Sequence, residues 1–339
     1  MEGSDFVRQL ANYVGRRRNT NMKNITLEQL LEAGAHFGHQ VTRQNPKARD
    51  FVFEARDNIH IIDLAKTKEG LDEAALFVKE LSKRGGTMII LGAKRQAEPV
   101  VKEAAKRVKE AGVDGLYFVT NRWIGGILTN YSEVSKNFKR LKDLYKFMDT
   151  PSEKARFTKK EVSLMDKERQ KLDSFYWGVQ DMKHIPDAVF IIDTHLEDLA
   201  VREAISTKVV RLGITDTNSD PTLIDYPIPA NDDAVGSVQL ILDHIVEAWV
   251  EGRKAGDEQR AKSEEQNAKE AEKAAKKAES IEQSAKGKAE SAEPKKTKVV
   301  EGVGQVAEPK KAVVKTEKPK APAKKAPAKK ATKKTTTSK

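Results

Sequence analysis

The residues best placed to do chemistry fall into four short clusters. His36 and His39 stand three apart in AHFGHQVTRQNPKAR, a loop that also carries Arg43, Lys47 and Arg49. A metal centre built on this pair would need one or two more ligands, and spacing singles none out. Packing the loop and donating a hydrogen bond beside a nucleic acid is the simpler use. Gly92-Ala93-Lys94-Arg95 follows an apolar run and precedes a helical pattern, the position at which doubly wound folds hold anions. It is not GxxxxGK[ST], and no GxGxxG occurs in the chain, so an RNA phosphate suits it better than a mononucleotide. Asn121-Arg122-Trp123 precedes Gly125-Gly126; the guanidinium can hold a phosphate, and the indole can fill a core or stack on a base. Asp193, Asp216 and Asp220 follow apolar runs, where turn capping is their ordinary work and a bound cation the alternative. No Ser/His/Asp set or carboxylate pair stands out. Neither catalytic residues nor a cofactor are expected.

Alternating helix and strand patterns must position these clusters. Thr26 and Gln29 form a capping box ahead of LEQLLEA, which Gly34 ends. FVFEARDNIHIIDL alternates and turns at ARDN, as a β-hairpin does. Amphipathic helices then separate the apolar runs TMIILGA, LYFVT, DAVFIID, KVVRLGIT and YPIP. Continuous apolar strands point to a parallel sheet buried on both faces, and the alternation to a doubly wound, flavodoxin-like α/β domain. Between residues 131 and 182 the period changes. Tyr131, Val134, Phe138, Leu141, Tyr145 and Met148 step by three and four, as do Val162, Met165, Arg169, Leu172, Tyr176 and Val179. Two heptad seams, the second opened by the Thr158–Glu161 capping box, predict an antiparallel coiled-coil hairpin inserted in the domain. The last helix, from about Asp232, is expected to pack Val235, Val238, Leu242, Ile245 and Trp249.

Charge divides the chain unevenly. The net charge is +11, and residues 309–339, with 12 Lys and 1 Glu, account for all of it. The body must therefore meet nucleic acid through local patches rather than a general positive field. Residues 254–339, rich in Lys, Ala and Glu, are expected to be a disordered tail, and residues 1–22 a flexible extension. There is no Cys, which excludes disulfides and Cys-ligated zinc and fits a reducing compartment. No apolar run long enough to span a membrane is present. The first 22 residues, with Glu2 and Asp5, lack the apolar core of a signal peptide.

LEAGAHFGHQ, NPK and FVFEARDNIHIIDL resemble the bacterial ribosomal protein S-two family, the second protein of the small subunit. LGAKRQA, FVTNRWIGGILTN, IPDAVFIID, GITDTNSDP and IPANDDAVGSV agree in the same order. The likeness covers about residues 23–253. It implies a non-catalytic, cytoplasmic constituent of the small subunit, bound to rRNA between head and body, with no membrane or small-molecule partner. It further implies contacts with neighbouring ribosomal proteins, including help in docking the mRNA-recruiting protein S-one. Carried over by motif, the RNA-contacting residues would be Arg43, Asn45, Lys47, Arg56, Lys94, Arg95, Arg122 and Asn130. Two other classes differ in what they require. A doubly wound enzyme would need a phosphate loop or a perturbed acid–base pair, and a nucleic-acid-compacting protein would leave the body unexplained.

Overall fold

The structure, a computed structural model, describes residues 25–289, with side chains through residue 263. The extension 1–22 and the basic stretch from 309 lie outside the described residues. Two units divide the chain, Met1–Ala275 and Lys276–Lys339. The described part of the second is the end of one helix.

Among the described residues the first element is α1 (Leu27–Glu32), whose Thr26 side chain accepts from the Gln29 N–H while the Gln29 side chain accepts from the Thr26 N–H. Strands β1 (Phe37–Gln40), β2 (Val52–Arg56) and β3 (Ile59–Ile62) form an antiparallel sheet in the order β1-β3-β2. Asp57 and Asn58 join β2 to β3 at φ 49° and 62°. Positive φ at both central positions makes the type I′ geometry that matches strand twist, and Asp and Asn tolerate it well.

Five strands form the main sheet: β4 (Met88–Leu91), β5 (Leu116–Val119), β6 (Ala188–Ile191), β7 (Val210–Thr215) and β8 (Tyr226–Pro229). Their order is β5-β4-β6-β7-β8 and every pairing is parallel, the flavodoxin-like arrangement. Successive side chains feed opposite faces. Met88, Ile90 and Phe190 enter one core with Phe77 and Val78 of α2 (Leu64–Lys83), Val101 and Ala104 of α3 (Ala97–Glu110), and Leu242 and Trp249 of α8 (Val235–Ala289). Ile89, Leu91, Val189 and Ile191 enter the other, against Val134, Phe138 and Leu141 of α4 (Tyr131–Asp149), Tyr176 of α6 (Lys159–Tyr176) and Val201 of α7 (Asp198–Thr207).

The helical hairpin is thus continuous with the second core at its base. A short helix, α5 (Pro151–Lys154), lies between its arms. Phe138 meets Tyr176 edge-on at 5.3 Å, and Phe147 meets Phe157 at 5.3 Å further out. Arg169, the charged break in the seam, pairs with Asp166 at 2.9 Å and lies over the Tyr145 ring.

Two expectations change. Val235 is exposed, while Val238, Leu242, Ile245 and Trp249 are buried. Helix α8 also runs to Ala289, past the expected start of a disordered tail at 254. Once a helix is nucleated, Ala, Lys and Glu extend it at little cost. Packing continues past 253 as well. A Cβ on Gly252 would lie 2.3 Å from the Lys79 carbonyl oxygen, and one on Gly256 2.2 Å from that of Lys83. The two glycines let α8 and α2 touch backbone to backbone. Among the described residues no helix is long and apolar enough to cross a membrane.

Candidate nucleic-acid interface

The polar residues converge where the strand order reverses, beyond the C-terminal ends of β4 and β6, the usual ligand crevice of this architecture. Lys94 extends from the end of β4 into a cage of carboxylates. Its Nζ lies 2.8 Å from Asp193, 2.9 Å from Asp232 and 2.8 Å from Asp233. Beside it, His39 Nδ1 is 3.0 Å from Asp216 and Nε2 is 3.6 Å from Asp233. Burial pushes Asp232 up to about 7, assisted by the carboxylates of Asp193 and Asp216 and opposed by Lys94. Burial also works against the charged form of Lys94, but Asp232, Asp193 and Asp233 outweigh it and raise its pKa. The Lys94 hydrogen bond pulls Asp233 below its ordinary value, and the Asp216 hydrogen bond raises His39.

One lysine and a histidine among four carboxylates make an anion-excluding crevice. Lys94, read from its loop as a phosphate contact, is consumed internally; its side chain is only 16% exposed. His36 packs on Phe37, whereas His39 is engaged by Asp216 and Asp233. Ligand atoms of His39, Asp232 and Asp233 lie within 4.8 Å of one another, so these three could hold a cation. Asp193 also caps its own turn, accepting from the N–H groups of His195 and Leu196.

The same end of the sheet anchors the basic loop. Thr217, just after β7, accepts from the Asn45 N–H at 2.8 Å through its carbonyl and from the His39 N–H at 2.9 Å through its hydroxyl. Gly38 allows that approach, because a Cβ there would stand 2.8 Å from Thr217 Cγ2. The Asn45 side chain accepts from the Lys47 N–H, and the Lys47 ammonium donates to Asp220 at 2.7 Å. Lys47 remains 56% exposed despite that pair.

The loop after β5 is held by a residue that its own sequence does not reveal. Glu203 of α7 is buried, and its carboxylate accepts from Trp123 Nε1 (3.3 Å) and from the N–H groups of Gly126 (2.7 Å), Leu128 (3.2 Å) and Thr129 (3.3 Å). The Thr129 hydroxyl donates to it as well, at 3.2 Å. The indole is therefore a buried anchor, with 3% exposure, while Arg122 and Asn130 at the loop's ends are exposed. Glu197 is also buried nearby; desolvation and the Asp193 charge push it up to about 7, with Arg122 drawing it back down.

The eight residues expected at the interface separate accordingly. Arg95 and Arg122 stand exposed just past the ends of β4 and β5, and Arg43 and Lys47 on the loop tied to the end of β7. Arg56 is exposed at the β2–β3 turn, pairing with Glu54 at 3.2 Å. Asn130 is exposed at the start of α4, and Asn45 is half-buried as a loop brace. Lys94 faces inward. Glu203, Asp232 and Asp233 complete the site without having been singled out for it; a sequence signal existed only for the last two, in the IPANDDAVGSV motif. A protein-family model described as Ribosomal protein S2 matches residues 30–252.

Proposed function

The chain belongs to the ribosomal protein S2 family, and we propose that it binds small-subunit rRNA with the loops at the C-terminal edge of its parallel sheet. Membership makes it a structural ribosomal protein that serves translation. The reading of the interface rests on one observation. Arg43, Lys47, Arg95 and Arg122 are exposed together on loops that follow or are tied to the ends of β7, β4 and β5, in a body whose net charge outside 309–339 is zero. Guanidinium and ammonium groups on rigid loops suit phosphate and ribose contacts with a folded RNA rather than base reading.

Asn45, Arg56 and Asn130 extend this face, with Lys94 organising it from beneath. The helical hairpin, half-buried along its outer seam and charged outside, is the surface assigned to neighbouring proteins, protein S-one included. A structural role, with no catalysis, in the cytoplasm completes the proposal.

Joint replacement of Arg43, Lys47, Arg95 and Arg122 by alanine should leave the melting transition within about 0.5 kcal/mol of the parent, as exposed side chains do. Incorporation into small subunits should fall sharply. The slope of log affinity against log salt should flatten by roughly 0.7–0.9 for each phosphate no longer neutralised. Undiminished incorporation by the folded variant would place the RNA face elsewhere.

A further inference from the structure

A cleft of about 520 Å³ lies between α3, the end of β5 and the last turn of α6. Lys102, Lys106 and Lys109 of α3 line one wall, Asp173 and Trp177 the other, and Asn121 the end. Trp177 Nε1 donates to Thr120 Oγ1 at 3.0 Å, and the indole stacks parallel to Phe118 at 6.5 Å between centroids. The ring is thus fixed in orientation while remaining partly exposed.

Charge in the cleft is unbalanced. Lys102 is paired with Glu98 at 2.7 Å, and Asp173 is engaged by the Tyr145 hydroxyl. Lys106 and Lys109 have no ion-pair partner among the described residues, and both are exposed. The cleft is also continuous with the interface, since Asn121 on its rim adjoins Arg122. A fixed aromatic ring beside unpaired cations is the arrangement by which proteins hold unpaired nucleotides, the base on the ring and the backbone phosphates along the lysines. We infer that this cleft takes a single-stranded, splayed-out RNA nucleotide, with its base stacked on Trp177 and its flanking phosphates on Lys106 and Lys109.

The inference rests on the rRNA-binding reading and refines it. Of the three tryptophans, Trp123 and Trp249 are buried at 3% and 0% exposure, so quenching by a stacked base reports on Trp177. An oligoadenylate of about ten nucleotides, added to the full chain, should quench its emission saturably, even though the Lys-rich stretch beyond 309 also attracts RNA. Trp177→Phe should abolish the quenching. Lys106→Glu with Lys109→Glu, two surface changes that spare the fold, should shift the quenching titration about tenfold or more to higher oligomer concentration. Oligomer binding without quenching, or quenching indifferent to the lysine pair, would overturn the inference. So would a polyglutamate peptide that displaces the oligomer from Trp177, which would make the cleft an acidic-peptide site. Cosedimentation with small subunits separates the two claims. If the parent protein fails to cosediment, the ribosomal reading falls; if it cosediments while Trp177 gives no response, only the cleft falls.

Discussion

Glu203→Ala should destabilise the body by about 3–5 kcal/mol, the scale for removing one partner of a buried, charge-assisted network. The carboxylate collects donors from Trp123, Gly126, Leu128 and Thr129. Alanine would strand those donors beside an apolar cluster that includes Ile127, Leu128 and Val134. Glu203→Gln should cost less, because one oxygen still accepts while the amide group faces N–H donors it cannot satisfy. Urea midpoints measured at constant m value would separate the two variants. A loss under about 1 kcal/mol for Glu203→Ala would mean that the loop is held by its apolar contacts alone.

The second large effect concerns Lys94. Lys94→Met fills similar space but leaves Asp193, Asp232 and Asp233 without their shared cation, again a loss on the scale of about 3–5 kcal/mol if the carboxylates stay charged. They need not, and the sign of the pH dependence follows. Asp232, already pushed up to about 7, contributes stability that is full below its unfolded pKa and lost as pH rises through 7. Without Lys94 its pKa rises further. Asp233, pulled down by Lys94, contributes stability above its unfolded value, and the variant forfeits that. The Asp233 part of the deficit is therefore already present at pH 5, the Asp232 part is added as pH rises through 7, and the deficit of Lys94→Met against the parent should grow from pH 5 towards pH 8. Denaturant unfolding across that range would show it. A deficit constant with pH would mean that the crevice carboxylates do not respond to Lys94.

Features set by local chemistry were legible in the sequence. Capping boxes at Thr26 and Thr158, a two-residue turn at Asp57-Asn58 and continuous apolar strands each follow from residues within a few positions of one another. What escaped depends on pairing across the chain. LGAKRQA looks cationic in isolation; its sign in the fold is set by Asp193 and Asp232, which lie about a hundred residues or more away in sequence. Glu203 sits in DLAVREAIST, an ordinary amphipathic helix, and its partners lie 74 to 80 residues upstream. The reach of α8 is not legible because residues beyond 253 are rich in Lys, Ala and Glu, and the contacts that Gly252 and Gly256 make lie across the chain. These two glycines are the close-approach points against α2.

The most direct test of the central claim is cosedimentation of the full protein with ribosomal particles through a gradient after a moderate salt wash. The account predicts that the protein travels with the small subunit, stays bound near physiological ionic strength and dissociates progressively at higher salt, as phosphate-dominated binding requires. Recovery at the top of the gradient, or equal distribution among all RNA-containing particles, would contradict it.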